Sequence, residues 1–152
     1  MKLMKIFAEN RKAHFNYAIL EKFEAGIVLI GTEVKSIKLG RIDLAGSYVV
    51  LKNGELFLIG AKIPPYQPKN APADYNPERP RKLLLNKKEI NYLIGKAQER
   101  GSALIPLKVY ANNAKIKCEF GIGKGKKKYD KRETIKKREA EREIRSRMSL
   151  RG

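Results

Sequence analysis

The spacing of hydrophobic and polar residues divides the first 40 residues into an arm, two strands and a helix. Residues 1–13 show no clear period, and we interpret them as a mostly irregular basic arm. A first strand is expected over residues 15–20. A second is expected over residues 23–30, where the nearly continuous apolar run is typical of a strand buried on both faces.

Two segments carry the three-to-four-residue spacing of amphipathic helices. The first covers residues 32–39 and is expected to end before Gly40. The second begins after Asn86, which stands where an N-cap would, with a glutamate three residues later, and it ends at Gly101. The residues of its predicted apolar stripe are Ile90, Leu93, Ile94 and Ala97.

Two β-hairpins are predicted from their turn sequences. Asn53-Gly54 separates two short β-rich runs within residues 47–59, and it supplies the positive φ angles that a type I′ turn requires. A second hairpin is expected over residues 103–122, with a turn around Asn112-Asn113. The strand count therefore reaches about six, and hairpin connections favour an antiparallel sheet. We predict a mainly β fold, an antiparallel β-barrel of the oligonucleotide-binding type with peripheral α-helices, because closure removes exposed sheet edges.

Six of the seven prolines lie in residues 64–81, which predicts an extended, irregular loop. Structureless connections rarely exceed about 12–15 residues, so the loop is either functional or mobile. The sequence leaves these two alternatives open.

The net charge of the chain indicates that this small barrel binds a polyanion. The chain carries 34 Lys and Arg against 16 Asp and Glu, a net charge of +18 with a pI near 10.1. Residues 124–152 alone hold 13 basic and 5 acidic side chains with little apolar surface, so this segment needs an anionic partner to order it. We predict one domain over residues 1–123 and a basic tail over 124–152, with nucleic acid as the partner.

Other classes of function find little support. The longest apolar run, residues 25–30, is too short to span a bilayer, and Lys2 and Lys5 interrupt any signal-like stretch, so no membrane partner and a cytoplasmic location are expected. One cysteine, Cys118, and one histidine, His14, leave no disulfide and too few ligands for structural zinc. We expect no catalytic residue, metal or cofactor, and we interpret the glycine-rich residues 121–125 as a flexible exit from the last strand, close to RNA.

Four strings in order carry a resemblance to a known family: Phe23-Glu24-Ala25-Gly26, Gly31-Thr32-Glu33-Val34-Lys35-Ser36, Arg81-Lys82-Leu83-Leu84-Leu85 and Gly125-Lys126-Lys127-Lys128-Tyr129-Asp130-Lys131-Arg132. From about residue 9 onward the chain resembles the SmpB family, the tmRNA-binding (SsrA-binding) proteins of bacteria. The resemblance implies a barrel that binds the tRNA-like domain of tmRNA and delivers it to stalled ribosomes in trans-translation, or ribosome rescue. It further implies elongation factor Tu as a partner on the charged complex, and no chemistry by the protein itself.

Candidate RNA contacts in the domain are mostly basic or polar. They are Asn10, Arg11, Lys12, Lys35, Lys38, Arg41, Lys82, Lys117 and Lys124. Each lysine alone is equally well explained as solvated surface charge, and the same holds for Arg81 beside Lys82. The resemblance adds a functional glutamate at Glu24, which otherwise pairs with a strand lysine, and an RNA-linked leucine at Leu84, which otherwise only packs the helix against the barrel.

The tail is predicted to be disordered in the free protein and helical on the ribosome. Spacing of acidic and basic residues four apart favours a helix, yet the narrow apolar stripe leaves a lone helix marginal in water. By resemblance, it enters the empty mRNA channel beside 16S rRNA, where Tyr129 stacks on a base of the decoding centre or serves as a linker. The candidate tail residues are Lys126, Lys127, Lys128, Tyr129, Asp130, Lys131, Arg132, Lys136, Lys137 and Arg138.

Two other classes of protein compete with an RNA-binding adaptor. A ribosomal protein whose basic tail threads rRNA permanently has the same composition. An enzyme acting on RNA is disfavoured, because the sequence shows neither paired carboxylates at metal-binding spacing nor a Walker-type phosphate loop.

Overall fold

A computed structural model describes residues 4–126 together with residues 138, 139 and 142. The described strands and helices follow one another along the chain as β1 (Met4–Glu9), α1 (Arg11–Asn16), β2 (Tyr17–Ile27), α2 (Gly31–Lys38), β3 (Tyr48–Lys52), β4 (Glu55–Ile59), β5 (Arg81–Leu84), α3 (Lys87–Ala97), β6 (Ser102–Asn112) and β7 (Lys115–Gly125). A single 3₁₀ turn, Pro68–Asn70, lies in the proline-rich loop.

The described strands form one antiparallel sheet in the order β1-β6-β3-β4-β5-β2-β7, and β7 also pairs with β6. Six strands therefore close into a ring, and β1 lies outside it on β6. Strand β6 pairs with three strands. Its first half pairs with β3 at Leu104, its second half pairs with β1, and its whole length pairs with β7. The predicted fold class, an antiparallel barrel of about six strands with peripheral helices, is confirmed.

One long strand replaces the two strands predicted between residues 15 and 30. Strand β2 has 11 residues and pairs with β7 along most of its length, with one register shift between Ile19 and Glu21. The polar pair Glu21-Lys22 suggested a break, but exposure alternates along the strand and Lys22 simply points outward. The prediction of two strands was wrong because polar residues on the solvent face of a sheet do not interrupt it.

Residues 4–13 form a strand and the start of a helix, contrary to the predicted irregular arm. Strand β1 pairs with β6, and α1 then covers one end of the barrel, where Ala13 packs against Ile105 and Leu107. Between β1 and α1, the Asn10 side-chain amide donates to the Pro106 carbonyl at 3.0 Å. Strand β5 was also not predicted. It lies at the end of the proline-rich loop and pairs with β4 and β2.

Both predicted hairpin turns are present. Asn53 and Gly54 have φ angles of 53° and 75°, as a type I′ turn requires, and they connect β3 to β4. The turn between β6 and β7 lies one residue later than predicted, with Asn113 at a φ of 58° and Asn112 paired with Lys115.

Helix α3 begins as predicted but uses less of its apolar stripe than expected. Asn86 accepts a hydrogen bond from the Glu89 amide at 2.9 Å, which confirms the N-cap. Leu93 is fully buried in the barrel core and Ile90 packs beside it, whereas Ile94 and Ala97 are exposed. The stripe prediction was wrong in its second half because only the side of α3 that carries Leu93 reaches the core.

Two glycines of β7 allow a close approach of strands, which corrects the predicted flexible exit. Gly121 and Gly123 are buried within the strand. A Cβ atom on Gly121 would lie 2.8 Å from the Glu21 carbonyl oxygen, and one on Gly123 would lie 2.8 Å from Ile105 Cδ1. Side chains at these positions would therefore push β2 and β6 away from β7. Close packing between strands therefore explains the glycines at positions 121 and 123.

A buried ion pair joins α2 to β5. Glu33 of α2 and Arg81 of β5 are both almost fully buried, and their closest atoms, Arg81 Nη2 and Glu33 Oε2, lie 2.5 Å apart. Arg81 also donates from Nη1 to the Ala61 carbonyl at 2.8 Å. Arg81 is thus neither a phosphate ligand nor a solvated surface charge, the two roles considered from the sequence.

The proline-rich loop supplies further partners to the same carboxylate. Arg79 forms a second ion pair with Glu33, and the Tyr75 hydroxyl lies 3.2 Å from Glu33 Oε2 and 2.7 Å from the Ile63 carbonyl. Burial by itself would raise the pKa of Glu33, but hydrogen bonds from Arg79, Arg81 and the Ile30 amide outweigh it and hold the pKa below its ordinary value. Glu33 is therefore ionised at neutral pH.

Replacing Arg81 by Gln should destabilise the protein strongly, because it removes the buried cation and leaves the buried Glu33 carboxylate with only the partly exposed Arg79. Breaking a buried ion pair from one side costs about 3–5 kcal/mol. Lys82→Gln is the matched control, since Lys82 is the next residue and its pair with Glu55 is solvent-exposed at 3.3 Å. That change should cost less than about 1 kcal/mol. Urea unfolding of both variants measures the difference, and equal losses would contradict the role given to Glu33.

Candidate nucleic-acid interface

Four residues from three adjacent strands meet on the outer face of the barrel. Strand β2 lies between β5 and β7, and Gly26 pairs with Leu84 on one side and with Lys117 on the other. Glu24 precedes Gly26 by two residues on the same face of the strand. We call these four residues, Glu24, Gly26, Leu84 and Lys117, the β2 patch.

Glycine keeps the centre of the β2 patch open. A Cβ atom on Gly26 would lie 3.6 Å from Leu84 Cβ and 3.9 Å from Lys117 Nζ. These are ordinary contact distances, so the position tolerates a small side chain, but one would fill the space between leucine and lysine. A partner can therefore approach the β2 backbone closely at this point.

Leu84 is 52% exposed, while its neighbour Leu83 is buried in the core. The alternative that Leu84 only packs the helix against the barrel leaves the exposed half of its side chain unexplained. A half-exposed leucine next to Lys117 offers apolar surface beside a cation, which suits the ribose or base of a nucleotide and its phosphate.

Glu24 makes no ion pair within the part of the chain that the structure describes. Its Oε2 accepts a hydrogen bond from the Tyr110 hydroxyl of β6. The strand lysines nearby are engaged by Glu119 instead, with Lys22 at 4.0 Å and Lys108 at 3.6 Å. The alternative of a Glu24–lysine pair is thus not what the structure contains. Sequence analysis missed Tyr110, although its place next to the inward-facing Val109 on a strand indicates an outward-facing ring.

Two of the three predicted basic residues of the α2 region contact the proline-rich loop. Lys35, Lys38 and Arg41 are exposed. Lys35 Nζ lies 5.5 Å from the centre of the Tyr66 ring, and Arg41 Nη1 donates to the Tyr66 carbonyl at 3.3 Å. Lys82 lies elsewhere, on the outer face of β5, in its surface pair with Glu55.

The predicted residues around α1 divide into one buried and two exposed side chains. Asn10 is 8% exposed, and its side-chain amide donates to the Pro106 carbonyl. This hydrogen bond holds the start of α1 to β6. Arg11 lines a groove with Glu9, His14 and Lys22, whereas Lys12 lines another with Tyr17 and Tyr48. Both side chains are exposed. Whether these residues contact RNA stays a prediction.

The chain leaves the barrel beside α1. Lys124 is exposed near the end of β7, opposite Ala18. The Lys126 amide donates to the Asn16 carbonyl and its Nζ to the His14 carbonyl, both at 2.9 Å. Arg138 is helical and exposed. The other tail residues predicted to act on the ribosome lie outside the described residues, namely Lys127, Lys128, Tyr129, Asp130, Lys131, Arg132, Lys136 and Lys137.

Opposite ends of the β2–β7 pair carry the β2 patch and the start of the tail. Tyr17 pairs with Gly125 at one end, and Gly26 pairs with Lys117 at the other. A strand rises about 3.3 Å per residue, so the two ends are separated by roughly 30 Å. The β2–β7 pair therefore separates the β2 patch from the basic residues at the start of the tail.

Other kinds of site are not seen in residues 4–126 and the three described tail residues. No group of His, Cys, Asp and Glu there is arranged to hold a metal ion, and no helix there is long and apolar enough to cross a bilayer. Cys118 is fully buried in β7, and burial raises the pKa of its thiol to about 12. This thiol therefore stays protonated and unreactive at neutral pH.

Comparison with known proteins places this barrel in a family. The family model described as SmpB protein matches residues 7–150. The chain belongs to the SmpB family. It is 55% identical over 140 residues to the SsrA-binding protein of Carboxydothermus hydrogenoformans, covering 92% of this chain and 93% of that relative. The SsrA-binding protein of Gloeothece citriformis is 49% identical, covering 92% and 90%.

A solved structure of an SmpB protein has the same fold. It is described as "tmRNA-SmpB: a journey to the center of the bacterial ribosome", and it superposes with a TM-score of 0.65 at 43% identity. The match covers 84% of this chain and 93% of that one. The resemblance seen in the sequence strings is thereby confirmed, as is the SmpB fold of the barrel.

The single histidine of this SmpB protein reports on the groove beside α1. Partial burial lowers the pKa of His14 below its ordinary value of 6.5, and the charges of Lys22 and Arg138 lower it further, while Glu119 opposes them.

An NMR titration of the His14 imidazole should therefore show a midpoint below 6.5. Lys22→Met should move the midpoint upward, because it removes a positive charge. Glu119→Gln should move it downward, because it removes the negative charge that favours the imidazolium. Shifts in the same direction for both variants would contradict the charge arrangement of the groove.

Proposed function

We propose that this protein is an RNA-binding adaptor that binds the tRNA-like domain of tmRNA and delivers it to stalled ribosomes for trans-translation. The observation that carries the proposal is the convergence of Glu24, Leu84 and Lys117. They are far apart in the sequence, yet the pairing of β2 with β5 and β7 brings them to one exposed patch. The relatives of this chain are called SsrA-binding proteins, and this supports tmRNA as the RNA that is bound.

The β2 patch has the chemistry that a folded RNA requires. Structured RNA is recognised through backbone charge, shape and unpaired bases. Lys117 provides a cation for phosphate and Leu84 an apolar surface for a base or ribose. The Glu24 carboxylate repels phosphate, so it selects a hydrogen-bond donor such as a base amino group. The patch thus distinguishes a specific arrangement of nucleotides from a generic polyanion.

Exposed basic side chains outside the patch extend the contact along the RNA backbone. We propose phosphate contacts for Arg11, Lys12, Lys35, Lys38, Arg41, Lys82 and Lys124. Asn10 contributes by holding α1 in place beneath Arg11 and Lys12. These contacts supply affinity and salt dependence, while the β2 patch supplies selectivity.

The tail carries the ribosomal half of the proposal. It begins roughly 30 Å from the β2 patch, next to Lys124 at the other end of the β2–β7 pair. We propose that residues 127–152 enter the vacant mRNA channel and become helical against 16S rRNA, with elongation factor Tu present on the charged complex. The protein acts in the cytoplasm by positioning RNA and performs no chemistry itself.

Binding to the tRNA-like domain of tmRNA at several salt concentrations tests the body. Lys117→Met should reduce the magnitude of the log–log salt slope by about 0.7–0.9, the value for one lost phosphate contact. Glu24→Gln should weaken binding without changing the slope. Lys52→Met, an exposed lysine next to the β3–β4 turn, is the control and should behave as wild type. Equal affinity of the wild-type protein for tmRNA and for an unrelated folded RNA would refute the proposal.

A second test separates the tail from the body. Tyr129→Ala should impair tagging on stalled ribosomes, because it removes a ring able to stack on a base of the decoding centre; stacking is worth about 1–3 kcal/mol. Its affinity for tmRNA should equal that of wild type. Tyr129→Phe keeps the flat ring and should retain tagging. Normal tagging by the alanine variant would remove the decoding-centre role.

A further inference from the structure

Tyr110 has an unusual location for a buried tyrosine. It pairs with Lys117 across β6 and β7. The preceding residue of the strand, Val109, faces the core, so the Tyr110 ring lies on the outer face of the barrel. Even so, only 2% of Tyr110 is exposed. It is buried under neighbouring side chains of the outer face and takes no part in the barrel core.

Specific contacts hold the Tyr110 ring and hydroxyl. Lys108 Nζ lies 5.4 Å from the ring centre and is itself paired with Glu119. The hydroxyl donates to Glu24 Oε2, two strands away, since β7 lies between β6 and β2. The tyrosine therefore spans β7 and reaches the edge of the β2 patch.

The hydrogen bond determines what Glu24 offers to a partner. Burial and the hydrogen bond to Glu24 raise the pKa of Tyr110 above its ordinary value, so the phenol remains a donor at neutral pH. It occupies Oε2 and restricts the rotation of a side chain that is otherwise exposed. In the described part of the chain, Oε1 of Glu24 has no hydrogen-bond partner. One acceptor is thus held in place and free.

We propose that Tyr110 is a positioning residue for RNA recognition, which holds Glu24 so that its free carboxylate oxygen accepts an N–H group from an unpaired base. The inference rests on the proposed binding of tmRNA. A carboxylate fixed before binding loses less conformational freedom when the base arrives, so affinity and selectivity both rise. A freely rotating glutamate on the same strand would repel phosphate without selecting a base.

The chain contains a matched control for this hydrogen bond. Tyr92 of α3 donates its hydroxyl to Glu21 Oε1, and Glu21 lies on the same strand as Glu24. Tyr92→Phe therefore removes the same chemical group from a carboxylate of β2 that is not part of the patch. Both Phe variants keep their rings, so packing of the ring is preserved in each.

The experiment is a double-mutant cycle in the full-length protein, measured as the Kd for the tRNA-like domain of tmRNA. Loss of the restraint on one glutamate side chain predicts a loss of roughly two- to tenfold in affinity for Tyr110→Phe, with the salt slope unchanged. Tyr92→Phe should bind as wild type. In a Glu24→Ala background, Tyr110→Phe should cause no additional loss, because there is no carboxylate left to position. Thermal unfolding checks that each variant is folded.

Three outcomes would overturn the inference. They are wild-type affinity for Tyr110→Phe, an equal loss for Tyr92→Phe, or a loss that persists at full size in the Glu24→Ala background. In each of these the wild-type protein still prefers tmRNA, so the adaptor function stands. Absence of any preference in the wild-type protein would instead overturn both the function and the role of Tyr110.

Discussion

The buried ion pair between Glu33 and Arg81 is the interaction on which the geometry of the interface depends. Arg81 is the first residue of β5, and this four-residue strand carries Leu84 to its place beside Gly26. The strand emerges from a loop rich in proline, which has few donors for a sheet. An ion pair to α2 compensates by fixing the start of β5, so a charge buried far from solvent determines where an exposed leucine lies.

The same region shows how a protein with a charge of +18 uses its acidic residues. Glu33 pairs with two arginines, the buried Arg81 and the partly exposed Arg79, and Glu119 holds Lys22 and Lys108 on the outer face. Glu24 alone of these three carboxylates has an oxygen with neither an ion pair nor a hydrogen bond in the described part of the chain. Sparse acids in a basic protein thus sort the basic residues into structural and available ones.

Much of the fold follows from local patterns. The type I′ turn at Asn53-Gly54, the N-cap at Asn86 and the helix of α2 each depend on residues close in sequence, and each was predicted. Strands β1 and β5 were not, because their hydrogen-bond partners lie far along the chain and their sequences carry no strong period of their own. Ile94 was misplaced for a related reason, since helical periodicity shows which residues share a face but not how much of that face another element covers.

The candidate site divides in the same way. Residue type and family resemblance pointed to Glu24, Leu84 and Lys117 without showing that they are neighbours. Arg81 was misjudged because its charge suggested solvent or phosphate, while its carboxylate partner is 48 residues away. The sequence by itself determined the basic character, the turn and cap positions, the barrel class and the family. Only the tertiary structure decided which charges are buried, that Tyr110 reaches Glu24, and that the β2 patch and the tail lie at opposite ends of one strand pair. Composition and local spacing are properties of the chain, whereas burial and long-range pairing depend on which distant strands hydrogen-bond to one another.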